Sequence, residues 1–203
     1  MRRAAVALVV VAALVAALPA GAAVRPKKPP IPACPSFTDP AKDDAAADLG
    51  LGEDPALDIL AVRQAVASRT YTLTLTMAKV GQPTYAEGVQ YAGGFTMGGK
   101  VVELFGTSSL TYPVMDQAFA LTGITVDGEY VSGTEKQVTM TTDAAKSTVT
   151  LKAAVPDIEA AAGTKATGLA SGLQANVSGT FVAVLEPWDD AAGTKKLPLA
   201  GCR

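Results

Sequence analysis

The stretch RTYTLTLTMAKV, residues 69–80, decides the fold. Tyr71, Leu73, Leu75 and Met77 alternate with Thr70, Thr72, Thr74 and Thr76. Successive side chains of a strand point to opposite faces, so a period of two buries one face and leaves the other wet. That is the pattern of an antiparallel sheet with one side on a core. On a helix, turning about 100° per residue, the same four apolar residues would scatter round the circumference.

The pattern recurs on both sides of this stretch. Residues 57–66, 89–97, 101–106, 149–155 and 179–185 read as strands. Val138 and Met140 alternate with threonines in the same way. Ile124-Thr125-Val126 and Glu129-Tyr130-Val131 flank Asp127-Gly128, a hairpin signal because glycine accepts positive φ. Pro156–Ala162, with acids in its first turn and Gly163 behind it, predicts one short helix crossing between sheets. The fold class is all-β: an antiparallel immunoglobulin-like or jelly-roll-type β-sandwich of about nine strands with one short crossover helix.

The N-terminus has a different character. Arg2 and Arg3 precede an apolar run from Ala4 to Leu18, then Pro19 and the small residues Ala20-Gly21-Ala22. This is the layout of a signal peptide, residues 1–22, and it predicts a secreted, extracellular protein beginning at Ala23. Residues 23–35 read as a Pro/Lys-rich linker. Their segment RPKKPPIP suits a solvated polyproline spacer or a tether touching an anionic cell wall. Residues 36–203 read as a single β-sandwich domain. After residue 24 no apolar run approaches the roughly 20 residues of a membrane helix, so no membrane span is expected once the leader is removed. Abundant Ala, Gly, Val and Thr with a single asparagine, Asn176, suggest a high-GC bacterial genome.

Charge and cysteine content narrow the function. The leader holds two of the 17 basic residues and none of the 19 acidic ones, which leaves 15 against 19, a net charge of −4. Nucleic-acid binding, which needs a concentrated basic patch, is not expected. In an oxidising compartment Cys34 and Cys202 read most simply as one disulfide, the alternative being two free thiols. Histidine is absent, which removes Ser-His-Asp and Cys-His catalysis and the usual zinc chemistry, and the chain reads as non-catalytic.

Two sets of residues could carry a ligand. Asp39, Asp43 and Asp44 lie together in one acidic loop and are candidate calcium ligands, since calcium takes several carboxylate and carbonyl oxygens from flexible loops. The competing reading is that these aspartates cap turns. Trp188, the single tryptophan, and Tyr85 and Tyr91, which flank Glu87-Gly88, are candidate aromatic contacts for a sugar face. Their competing role is to fill the core.

The order of features also resembles a known family. An N-terminal cysteine precedes the acidic turn FTDPAKDD, and PALDILAV enters the Thr-rich strand. GGFTMGGKVVELFG, VPDIEAAAGTKATGL and a terminal WDDAAGT followed by cysteine come later. This order resembles the DOMON-like and carbohydrate-binding-family-9-like β-sandwiches of secreted bacterial proteins, over nearly the whole mature chain. The resemblance implies haem or sugar as ligand. Haem ligation there uses an axial Met and His pair, and this chain has Met77, Met97, Met115 and Met140 but no histidine. Sugar or another cell-envelope component is therefore the expected partner. The alternative is a structural or protein-interaction domain of the cell surface with no small-molecule ligand.

Overall fold

The Thr-rich stretch forms a strand in the middle of a five-stranded sheet. The computed structural model describes residues 30–41, 53–84, 86–108, 110–111, 118–119, 122–181 and 184–203. The leader and most of the linker lie outside the described residues. Strands β1 (Ser36–Thr38), β2 (Ile59–Ala67) and β3 (Thr70–Met77) are consecutive neighbours in the smaller sheet. The larger sheet holds β4 (Gly88–Met97), β5 (Lys100–Ser108), β8 (Thr122–Val126) and β9 (Glu129–Tyr130). Between β5 and β8, β6 (Leu110–Thr111) and β7 (Ala118–Phe119) pair with each other. The chain then returns to the smaller sheet as β10 (Val138–Asp143) and β11 (Thr148–Ala154). Helix α1 (Val155–Ala162) carries it back to the larger sheet, where β12 (Leu169–Phe181) and β13 (Val184–Gly193) form a hairpin. The last strand, β14 (Leu197–Pro198), pairs with β12.

The smaller sheet has the order β1-β2-β3-β11-β10 and the larger β13-β12-β4-β5-β8-β9. Every pairing among the described residues is antiparallel. This is the expected all-β sandwich with one short helix. Among the described residues no helix is long and apolar enough to cross a membrane.

Alternation builds the core. Tyr71, Leu73, Leu75 and Met77 of β3 are buried, while the threonines between them face outward and are partly exposed. Val149, Leu151 and Ala153 of β11 continue that layer through the register Leu151–Leu73 and Val149–Leu75. The facing layer comes from Val89, Tyr91, Phe95 and Met97 of β4, with Val102 and Leu104 of β5 and Ile124 of β8. The two layers meet closely. A Cβ built on Gly93 would stand 2.8 Å from Leu73 Cδ2, and one on Gly106 would stand 2.9 Å from Leu151 Cδ2. Tyr71 and Phe95 pack edge to face across this interface, with ring centroids 4.9 Å apart.

The turns follow the sequence. Asp127-Gly128 takes positive φ at both positions, 53° and 81°, which matches the twist of a two-residue hairpin. Helix α1 ends at Gly163 in the left-handed region, φ 63°, and Lys100 Nζ donates to the Ala162 carbonyl at 2.7 Å, placing a cation at the helix C-terminus. Residues 179–185, read from the sequence as one strand, instead span the end of β12 and the start of β13, with Phe181 paired to Val184.

Gln64 is the one polar side chain of β2 that points into the core, fully buried. Its Nε2 donates across the sandwich to the carbonyls of Gly94 (3.0 Å) and Gln174 (3.3 Å). These lie where the pairing of β12 with β4 slips register between Ser171 and Gln174. Its Oε1 accepts from the buried Tyr71 hydroxyl at 3.0 Å. Removing the amide strands two carbonyls and a hydroxyl in an apolar layer, each costing about 1–3 kcal/mol. Gln64→Leu is expected to lower stability by roughly 2–4 kcal/mol in urea unfolding, and Tyr71→Phe by less. The double mutant should fall short of the sum, because the second change removes a group the first has already orphaned.

Cys34 and Cys202 pair, with Cα atoms 4.9 Å apart across a sequence separation of 168. Backbone bonds flank the link: Cys34 N–H to the Arg203 carbonyl, Arg203 N–H to Pro32, and Cys202 N–H to Val66. Closing so long a loop restricts the unfolded chain by up to about 5 kcal/mol in the chain-entropy view. Cys34→Ser and Cys202→Ser should therefore destabilise by similar amounts, roughly 2–5 kcal/mol, with the double mutant no worse than either single. Thiol labelling of the native, unreduced protein should find no free cysteine.

Candidate functional site

Strand parity divides the sites read from the sequence. Tyr91 shares its face of β4 with Val89, Phe95 and Met97 and is 1% exposed, so it belongs to the core and cannot meet a ligand at the surface. Burial pushes its hydroxyl pKa up to about 12, and burial pushes Tyr71 further still, helped by the nearby negative charge of Glu103. Tyr85 lies outside the described residues. Trp188 belongs to β13 rather than to a strand end. It falls between Pro187, paired with Ser178, and Asp189, paired with Val177, at an irregularity of the ladder. Its side chain lies outside the described part of the structure. Asp189 is buried and accepts from the Ile59 N–H at 2.6 Å, tying β13 to β2.

Of the acidic loop, Asp43 and Asp44 lie outside the described residues. Asp39 is half-buried just after β1, and its N–H donates to the Leu60 carbonyl at 3.0 Å. Asp54 caps its own turn, Oδ1 accepting from the Ala56 N–H at 3.1 Å. Among the described residues no three His, Cys, Asp or Glu side chains gather as a metal would require.

The outer face of the larger sheet holds a constellation that the sequence reading passed over. In register across the strands lie Asn176, Ala92, Phe105 and Gly123, and beside them Gln174, Gly94, Glu103, Thr125 and Tyr130. Ala92 forms a low floor. Gly123 has no room for a Cβ, because Phe105 and Tyr130 ring atoms would stand 2.8 Å from it. Those rings pack edge to face over it, centroids 5.9 Å apart at 73°. Tyr130 is 47% exposed. Together with Gln90, Glu103, Thr125 and Asn176, the two rings line a depression of about 300 Å³.

The polar groups here are held from both sides. Glu103 Oε1 accepts from Gln174 Nε2 at 2.9 Å and Oε2 from Thr125 Oγ1 at 3.2 Å. Gln174 is the residue whose carbonyl Gln64 binds from the core. A chain of hydrogen bonds thus runs from Tyr71 through Gln64 and Gln174 to a surface carboxylate. The Tyr130 hydroxyl donates to Glu135, which lowers the Glu135 pKa and raises that of Tyr130. A larger groove, about 540 Å³, runs between β1 and β13. It is a seam of the sandwich, closed by Phe37 against Gly193 and by Lys195 Nζ on the Ser36 carbonyl.

In comparison with known proteins, the chain matches no family model and no curated sequence. Its site is therefore read from its own geometry.

The buried tyrosines make a test of this layout. A phenol whose pKa is higher in the folded state stabilises the fold fully below pH 10, and that contribution fades as pH rises from about 10 towards about 12. The urea midpoint should hold to near pH 10 and then drop. Tyr91→Phe should flatten the drop by roughly 2–3 kcal/mol, since it removes one linked ionisation.

Proposed function

We propose that this chain is an exported, non-catalytic module that binds glycan, and that it does so on the outer face of its larger sheet. One observation carries the reading: an edge-to-face pair, the exposed Tyr130 and the half-buried Phe105, stands beside the small Ala92 and is ringed by amide and carboxylate side chains. A pyranose ring has an apolar C–H face that stacks on an aromatic and a rim of hydroxyls that need donors and acceptors. Gln90, Asn176 and Glu103 supply both kinds. The site sits on paired strands rather than on a loop, so little order is lost on binding. The leader-like N-terminus and the missing histidine support export and the absence of nucleophilic catalysis.

Retention on insoluble chitin, cellulose and purified peptidoglycan tests the reading. At least one should retain the wild type. Tyr130→Ala should weaken retention roughly tenfold, because one stacked ring contributes on the order of 1–2 kcal/mol, and should leave the melting temperature nearly unchanged. Equal retention of wild type and Tyr130→Ala would remove this face from the function. No retention on any of the three would favour a protein-interaction domain instead.

A further inference from the structure

The depression has a marked charge bias. Among the described residues, its single charged lining group is Glu103, and no lysine or arginine lines it. Two further acids among the described residues flank it. Glu135 holds the Tyr130 hydroxyl, and Asp190 is exposed on the outer face in register with Asn176. Lys136 offsets part of the charge of Glu135. Gln174 and Thr125 each donate to one oxygen of Glu103, which fixes the plane of the carboxylate and leaves each oxygen a further lone pair. Phe105 and Tyr130 stand on the same face, and Phe105 lies two positions along β5 from Glu103. An aromatic face beside an oriented carboxylate suits a cation, which gains from the ring quadrupole and from the charge together.

We infer that the depression selects amine-bearing sugars, with Glu103 pairing the protonated amine of a glucosamine-type ring stacked on Tyr130 and edged by Phe105, and that it rejects uronic acids. Glu103 is thus the specificity-determining residue of the face. The inference rests on the glycan reading above, and goes beyond it by naming the class of sugar. A neutral ring keeps the stacking and loses the ion pair. A uronic acid places a carboxylate against Glu103, where like charges repel with no basic side chain among the described lining residues to intervene.

Calorimetric titration with three soluble hexamers tests it: the glucosamine hexamer, its fully N-acetylated counterpart, and hexagalacturonate. In the wild type the glucosamine hexamer should bind about tenfold more tightly than the acetylated one at about 50 mM salt, and this advantage should shrink at about 500 mM. Hexagalacturonate should not bind. Glu103→Gln keeps an acceptor for Gln174 and turns its Nε2 to donate to the Thr125 hydroxyl oxygen, and its melting temperature checks the fold. It should lose the preference for the amine. Equal affinity for the first two hexamers, binding of hexagalacturonate, or a preference that survives in Glu103→Gln would overturn the selectivity and leave glycan binding standing. Binding by none of the three, together with no retention on the insoluble polysaccharides, would overturn both.

Discussion

Two sheets can close on each other only if every polar group between them finds a partner, and here the difficult place is the slip between β12 and β4. An antiparallel ladder satisfies its own carbonyls as long as its register is kept. At Gly94 and Gln174 the register slips, and the carbonyls there are met by the amide of Gln64, reaching across from β2. Tyr71 completes the amide by donating to its oxygen. In an apolar interior a network of this kind stabilises only when each member is satisfied. This one fixes the position of one sheet over the other. It also sets the backbone of Gln174, whose side chain emerges on the far face to hold Glu103. The geometry of a surface carboxylate is thus set partly from within the core.

The same economy of space shapes both faces of the larger sheet. Inward, Gly93 and Gly106 let Leu73 and Leu151 approach where any Cβ would collide. Outward, Gly123 lets the rings of Phe105 and Tyr130 settle over its backbone, and Ala92 leaves a hollow beside them. Glycine is depleted in strands because it has no side chain to pack, so its use here points to close approach, by opposing leucines on one face and by two aromatic rings on the other.

Much of this fold was legible in the chain. The period of two in residues 70–77, the Pro156–Gly163 helix, the Asp127-Gly128 turn and the pair of cysteines all lead to what the structure contains. Strand β12 was harder, because Leu173, Ala175 and Val177 alternate with short polar residues and give a weak apolar signal. The reversal after Phe181 was harder still. The run FVAVL holds no Gly, Pro, Asn or Asp to mark a turn, so it read as a single strand. The site was legible in part. Tyr91 has the parity of Val89, Phe95 and Met97, which marks it as inward-facing. Phe105 has the parity of Glu103, opposite to Val102 and Leu104, which marks it as outward-facing. What the sequence does not carry is the lateral register that sets Phe105 of β5, Tyr130 of β9 and Asn176 of β12 side by side, since that depends on which strands become neighbours.

The link between Cys34 and Cys202 has a mechanical meaning. The backbone around Pro32 and that around Arg203 run side by side, hydrogen-bonded to each other next to the covalent bridge. A pull applied between the segments leading away from these two points is borne by the S–S bond rather than by the strand ladders. The sheets lie off the load path. Gripped at these two points, such a domain cannot have its hairpins peeled apart one by one while the bridge is intact.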